Sequence, residues 1–198
     1  MRCLLCLVLA ACGAATASPQ RPDDLVDVTG VIRDAVIDLR YATDNNFTGK
    51  RLYPSATCKL RRAVAERLAR AADKLRTEKR RLLIWDCYRP RSIQDELWRR
   101  VPDERYVANP AKGSRHGRGA AVDVAVVAED GTSVVLPTQF DEFSEAAHRD
   151  HALAGDRGAE ARELDRAMTA AGFIGLPTEW WHYDAPEAAD YPLSDAPL

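Results

Sequence analysis

Residues 114–127, SRHGRGAAVDVAVV, are the stretch that decides the fold. Its second part, residues 120–127, is apolar apart from one aspartate, which predicts a buried β-strand. An Asp-Gly-Thr turn follows at residues 130–132, and residues 133–136 predict a strand that returns beside the first. Two strands joined by so short a turn pair antiparallel, so an antiparallel sheet is expected.

Other segments predict strands and helices around this hairpin. Short apolar or alternating runs predict three more strands, at residues 36–41, 82–85 and 178–184. Amphipathic periodicity predicts three helices, over residues 59–79, over residues 93–100 with Ser92 as N-cap, and over residues 159–171 with Gly172 as C-cap. The sequence therefore predicts the α+β class, with one domain that has a central antiparallel sheet and flanking helices.

Length and composition limit the class of protein. The chain has 198 residues, 46% of them hydrophobic and 29% charged, which is typical of one globular domain and excludes a disordered, collagenous or coiled-coil chain. Its formal net charge of −2 lacks the basic excess of a nucleic-acid binder. No nucleic-acid partner is therefore expected.

The N-terminus predicts export. Residues 3–11, CLLCLVLAA, are apolar but shorter than the about 20 residues that span a bilayer, so they predict a secretory signal rather than a transmembrane helix. Cleavage after Ala17 would make residues 1–17 the signal peptide and residues 18–198 the mature domain. Alternatively, the lipobox-like LAAC that ends at Cys12 predicts a lipid anchor. Either reading predicts the bacterial periplasm or cell envelope.

The cysteines follow from this prediction. Removal of the signal peptide leaves Cys58 and Cys87, and an exported chain meets an oxidising compartment. Since two cysteines allow only one pairing, a disulfide between them is predicted. Two buried free thiols are the alternative.

Two polar clusters carry the candidate chemistry. Glycines between His116 and Asp123 can turn the chain so that both side chains converge, and a distant His182 can supply a third ligand. Three nitrogen or oxygen ligands are typical of a catalytic zinc. Asp123 lies among apolar residues, where a carboxylate needs a cation or hydrogen bonds. Glu179 lies three residues before His182 and can act as a general base. The helical H-E-x-x-H motif is absent.

These residues resemble a known family. The pattern S-x-H-x-x-G-x-A-x-D over residues 114–123, followed by E-x-x-H over residues 179–182, resembles the zinc D-alanyl-D-alanine dipeptidases of the VanX type. Residues 41–49 and 85–90 are also similar to this family. The resemblance covers roughly residues 25–192 and implies a fold like that of the hedgehog domains and D,D-peptidases. The export signal and the two cysteines match a secreted branch.

The resemblance implies a reaction and roles for five residues. The reaction is hydrolysis of the D-Ala-D-Ala dipeptide to two D-alanine molecules by a metal-activated water. One Zn²⁺ per chain would be held by His116, Asp123 and His182. Glu179 would be the general base, and Arg89 would stabilise the oxyanion of the tetrahedral intermediate.

The resemblance also implies groups that bind the substrate. Asp141 would bind the ammonium group of the dipeptide, with Ser114 and Tyr41 as candidates for further polar contacts. His148 and His151 are expected near the pocket rim or on the surface, outside the ligand set.

Two other functions remain open from the sequence. A D,D-carboxypeptidase or endopeptidase acting on longer peptidoglycan stems would use the same zinc ligands. A non-catalytic binding module that contains zinc, as in hedgehog signalling domains, would need neither Glu179 nor Arg89.

Overall fold

A computed structural model of the protein describes residue 21 and residues 23–198. The predicted signal peptide and the alternative lipid site at Cys12 therefore lie outside the described residues. Within the described part of the chain, every helix is too short or too polar to cross a membrane.

Seven strands and four helices lie within residues 23–198. The strands are β1 (Leu25–Asp27), β2 (Val36–Ile37), β3 (Lys59–Arg61), β4 (Arg80–Asp86), β5 (Ala121–Ala128), β6 (Ile174–Gly175) and β7 (His182–Asp184). The helices are α1 (Arg62–Thr77), α2 (Arg91–Arg100), α3 (Arg149–Ala154) and α4 (Ala159–Ala170).

A five-stranded sheet with the order β2-β4-β5-β7-β6 forms the centre of the fold. The edge strand β2 runs parallel to β4, and the three other pairings in this sheet are antiparallel. α1 packs on β4, α4 packs on β5, and the two helices contact each other. β1 and β3 form a separate antiparallel pair. The α+β class is thus confirmed, with a parallel edge that the sequence did not predict.

Helix boundaries differ from the prediction at two N-termini. Residues 59–61 form β3 rather than the first helical turn, because Arg61 pairs with Leu25 and its backbone N–H donates to the Gly119 carbonyl. α2 begins at Arg91, directly after Pro90, and Ser92 does not cap it. The C-cap of α4 is Ala171, and the predicted C-cap Gly172 follows it with a φ of 91° and an N–H bond to the Thr169 carbonyl.

Three predicted strands were wrong in extent or existence. In the strand predicted at residues 36–41, only Val36–Ile37 are paired in the sheet, and Arg40–Ala42 form a 3₁₀ turn. Residues 133–136 form no strand, because the turn after β5 closes through a bond from Ala128 N–H to the Thr132 carbonyl and the chain then leaves the sheet. Residues 178–181 are a loop that precedes β7.

An aromatic cluster forms part of the buried core. Trp85, Trp180 and Trp181 are fully buried, and their ring centroids lie 5.7–6.5 Å apart. Phe140 contacts Trp85 and Trp181. The two consecutive tryptophans, Trp180 and Trp181, are therefore packing residues.

Cys58 and Cys87 are disulfide-bonded, as predicted, with 5.4 Å between their Cα atoms. Cys58 directly precedes β3 and Cys87 directly follows β4. The bond therefore ties the small strand pair to the end of the central sheet.

Candidate metal and catalytic site

Register between neighbouring strands brings three polar residues into one row. Asp123 of β5 pairs with Asp86 of β4 on one side and with His182 of β7 on the other. His116 approaches from a 3₁₀ turn that ends at Gly119, whose φ is 68°. The left-handed φ at this position favours glycine, and a Cβ there would lie 2.5 Å from a Leu25 methyl, so the Leu25 side chain would have to shift.

His116, Asp123 and His182 place their donor atoms together, and all three are buried. His182 Nδ1 lies 3.0 Å from Asp123 Oδ1 and 3.2 Å from His116 Nε2. His116 Nε2 lies 3.5 Å from Asp123 Oδ2. Tetrahedral ligands about 2.0–2.1 Å from one zinc ion lie about 3.3 Å apart. The set therefore fits a single ion of this size.

Each histidine has a partner that fixes its tautomer. His116 Nδ1 lies 2.7 Å from the Cys87 carbonyl, which can only accept, so this nitrogen carries the proton and Nε2 is free to bind a metal. His182 Nε2 likewise donates to Asp184 Oδ1 at 3.0 Å, so Nδ1 is the nitrogen that can bind a metal once its proton has left. Asp184 is held in turn by Arg115, whose Nε lies 3.0 Å from its Oδ2.

Asp184 was missed by the sequence reasoning, although a signal was present. Residues two apart on a strand point to the same face, so Asp184 shares the face of His182 on β7. A carboxylate at that spacing from a candidate ligand predicts a hydrogen bond to its second ring nitrogen.

The donor set is electrostatically suited to a cation. Burial lowers the pKa of His182, but hydrogen bonds to Asp123 and Asp184 outweigh it and raise that pKa to about 10 without metal. Burial raises the pKa of Asp123, but His116 and His182 outweigh it and hold the pKa far below its usual range. In the metal-free protein, the proton on His182 therefore balances the Asp123 charge that a bound metal ion would balance instead.

Glu179 lies beside the donor set, in the loop between β6 and β7. Its Oε2 is 3.8 Å from His182 Nδ1, and the side chain is buried. Burial, supported by the Asp123 charge, raises the pKa of Glu179 to about 8. A carboxyl group of this kind can take up and release a proton near neutral pH, as a general base must.

Arg89 is held rigidly after the end of β4. Its Nε and Nη2 donate to Asp86 Oδ2 at 2.9 and 2.6 Å, and its Nη1 donates to Gln94 Oε1 at 2.8 Å. Asp86 also accepts from the Tyr53 hydroxyl at 2.6 Å. The guanidinium lies over the Tyr41 ring, 5.2 Å from its centroid. Sequence reasoning found Arg89 but missed Asp86 and Gln94, whose contacts with it form only when the end of β4 and α2 have packed together.

The predicted substrate-binding groups face the same cavity. Tyr41 donates its hydroxyl proton to Asp141 Oδ2 at 2.9 Å. Burial and the neighbouring Glu179 carboxylate raise the pKa of Asp141 well above its usual range. Asp141 has a φ of 57°, a left-handed conformation that is uncommon outside glycine. Ser114 is buried, and its Oγ accepts from the His116 backbone N–H at 3.2 Å.

The cavity has a volume of about 150 Å³. All eight predicted metal, catalytic and substrate-binding residues line it: Tyr41, Arg89, Ser114, His116, Asp123, Asp141, Glu179 and His182. Phe47, Tyr106 and Phe143 form an aromatic rim in which neighbouring rings lie 5.0–5.1 Å apart. His148 and His151 do not line the cavity, and His151 is exposed.

Known proteins of one family match nearly the whole chain. The sequence profile of the D-Ala-D-Ala dipeptidase family matches residues 21–196. A D-alanyl-D-alanine dipeptidase of Escherichia coli (strain K12) is 37% identical over 171 residues, which is 86% of this chain and 89% of that protein. The D-alanyl-D-alanine dipeptidase of Enterococcus faecium is 34% identical over 74% of this chain and 83% of its own length. That of Streptomyces coelicolor is 29% identical over 76% of this chain and 85% of its own. The chain therefore belongs to the D-Ala-D-Ala dipeptidase family.

Proposed function

We propose that this protein is an exported, zinc-dependent dipeptidase that hydrolyses D-Ala-D-Ala to two D-alanine molecules. The observation that carries the proposal is the convergence of the donor triad, Glu179, Arg89 and Asp141 on one small cavity. Membership of a dipeptidase family supports the same reaction.

The metal would be held by His116, Asp123 and His182. The donor set, two imidazole nitrogens and one carboxylate oxygen, is one that zinc accepts in catalytic sites. When bound, zinc supplies Lewis acidity that polarises the scissile carbonyl and lowers the pKa of water.

Glu179 would transfer the proton, and Arg89 would stabilise the negative charge that forms on the carbonyl oxygen. Glu179 accepts a proton from the attacking water as the oxygen bonds to the carbonyl carbon, and it later gives this proton to the leaving amine as the C–N bond breaks. Arg89 donates hydrogen bonds to the oxyanion that forms on the carbonyl oxygen. The bonds from Arg89 to Asp86 and Gln94 prepare its orientation in advance.

Asp141 and the cavity size would select the substrate. The Asp141 carboxylate, with the Tyr41 hydroxyl beside it, suits the free ammonium group of a dipeptide. A bound ammonium would also lower the raised pKa of Asp141, since opposite charges favour the ionised form. The cavity of about 150 Å³ is well below the roughly 300–1,000 Å³ of sites for drug-sized ligands. A longer stem peptide is therefore expected to be a poor substrate.

Export is part of the proposal. The apolar N-terminal segment and the Cys58–Cys87 disulfide both support an oxidising compartment, such as the periplasm or cell envelope.

The test combines two substrates with one variant. Purified mature protein should bind one Zn²⁺ per chain and hydrolyse free D-Ala-D-Ala, but not an N-acylated tripeptide that ends in D-Ala-D-Ala. Glu179→Ala should lower kcat by about 10²–10⁴-fold while zinc stays bound. The exposed Glu129→Ala is the matched control and should retain activity. Cleavage of the tripeptide alone would show a D,D-carboxypeptidase instead. Zinc binding without hydrolysis of either substrate would show a binding module.

A further inference from the structure

Arg149 is the first residue of α3, and it lies against the loop that joins β6 to β7. This loop, residues 176–181, contains Glu179 and leads directly into His182. The general base thus lies in a short segment without regular structure, and the metal ligand His182 follows it directly as the first residue of β7.

The guanidinium of Arg149 binds the main chain of this loop. Its Nη2 lies within donating distance of three carbonyl oxygens, those of His182 at 3.0 Å, Trp180 at 3.1 Å and Glu179 at 3.4 Å. Its Nε donates to the Leu176 carbonyl at 3.3 Å. Three carbonyls of the loop and the carbonyl of His182 therefore converge on one cation.

The other side of the guanidinium is anchored on the body of the protein. Nη1 donates to Asp165 Oδ1 of α4 at 2.6 Å and to the Tyr183 hydroxyl at 2.9 Å. The guanidinium carbon lies 4.4 Å from the centroid of the Tyr183 ring. The backbone N–H of Arg149 also donates to the Pro177 carbonyl at 2.9 Å. Arg149 therefore connects the loop to a helix and to the central sheet.

The fold leaves space for this side chain. A Cβ at Gly175, the last residue of β6, would lie 2.1 Å from the guanidinium carbon of Arg149. The glycine thus permits the guanidinium to lie directly against the strand backbone, close to the carbonyls that it binds.

We propose that Arg149 is a positioning residue that sets the location of Glu179 and His182 by binding the carbonyls of the loop and the carbonyl of His182 that follows it. Carbonyl oxygens that are removed from water without a hydrogen-bond donor cost free energy, so loss of the guanidinium should destabilise this conformation of the loop. Only a planar guanidinium presents several N–H groups in a fixed fork, and the ammonium of lysine cannot reproduce it. The part of the proposal that concerns Glu179 rests on the proposed function.

The test compares Arg149→Gln and Arg149→Lys with the same changes at Arg67. Arg67 is the matched control because it is a similarly half-buried guanidinium that donates to Glu187 and the Ala171 carbonyl, away from the loop. Both Arg149 variants should lower kcat for D-Ala-D-Ala by about 10–100-fold, since small displacements of reacting groups are costly. KM should stay within about threefold, because Arg149 makes no contact with Asp141. Zn²⁺ affinity, measured by competition with a chelator, should fall about tenfold because His182 loses its support.

A second variant keeps the test decisive if the substitutions at Arg149 prevent folding. Gly175→Ala retains the arginine but displaces its guanidinium, and it should reproduce the loss of kcat and Zn²⁺ affinity. Wild-type kcat and Zn²⁺ affinity in folded Arg149→Lys or Gly175→Ala would overturn the inference, as would equal losses in the Arg67 controls. If the wild-type protein does not hydrolyse D-Ala-D-Ala, the proposed function fails, while the Zn²⁺ affinities still test the contact with His182.

Discussion

The Cys58–Cys87 disulfide allows a quantitative prediction about stability. The double variant Cys58→Ala/Cys87→Ala removes the cross-link without leaving a buried hydroxyl group. The two cysteines are 29 residues apart. For a closed loop of this length, the chain-entropy treatment gives a stabilisation of about 3.6 kcal/mol. At roughly 2–4 °C per kcal/mol for a domain of this size, the melting temperature should fall by about 7–14 °C.

The same change should reach the metal site through the backbone. The Cys87 carbonyl accepts the Nδ1 proton of His116, and Asp86 and Arg89 flank it in the chain. Without the cross-link, this end of β4 is still held to β3 by the hydrogen bond from Tyr88 N–H to the Lys59 carbonyl. The fall in Zn²⁺ affinity should therefore be modest, up to about tenfold.

The assay is calorimetric or urea unfolding of the metal-free protein, because bound zinc would add its own stabilisation. The single variant Cys58→Ala is a control that loses the same cross-link and should unfold near the double variant. A melting temperature within about 2 °C of wild type would refute the reasoning, since it would mean that the bond does not constrain the unfolded chain.

Two further predictions concern the metal site. Asp184→Asn should raise the Kd for Zn²⁺ about tenfold, because the neutral amide holds His182 less firmly and loses its ion pair with Arg115. A substitution of the exposed Asp190, Asp190→Asn, is the control. Equal Zn²⁺ affinities of the two variants, measured by chelator competition, would contradict the prediction. Zinc binding at pH 7 should release the His182 proton, since its pKa is about 10 in the metal-free protein, and part of a second proton from Glu179, whose pKa is about 8. Zn²⁺ affinity should therefore rise with pH. Titration calorimetry in buffers of different ionisation enthalpy should count between one and two protons released per Zn²⁺ bound, and this number should fall to one in Glu179→Ala. The absence of any proton release would show that His182 is neutral before binding. Because the folded-state pKa of His182 exceeds its unfolded value of about 6.5, its protonation stabilises the metal-free fold fully below about pH 6.5, and this contribution is lost as pH rises through about 10.

Much of the fold follows from local sequence patterns. β4, β5, α1 and α4 lie close to their predicted positions, because apolar runs and helical periodicity report burial directly. The disulfide pairing could be predicted because the predicted mature chain has only two cysteines. The parallel edge strand β2 and the missing return strand at residues 133–136 could not be predicted, since strand pairing depends on partners distant in sequence.

The same division applies to the candidate site. Spacing and residue type were sufficient to identify the triad, Glu179 and Arg89 as candidates, because metal binding and proton transfer need particular chemical groups. The residues that orient them are ordinary side chains whose contacts do not follow from their place in the sequence. Asp86 and Gln94 hold Arg89, and Arg149 binds the loop of Glu179.

The sequence by itself therefore determined which groups are available for the chemistry, and the tertiary structure decided how they are held. His182 shows the reason. Its imidazole is visible in the sequence, but its free Nδ1 depends on Asp184 accepting from Nε2, and its backbone position is tied to Arg149, 33 residues earlier. Hydrogen bonds of this kind depend on distances of about 3 Å between elements that meet only after the sheet and helices have packed.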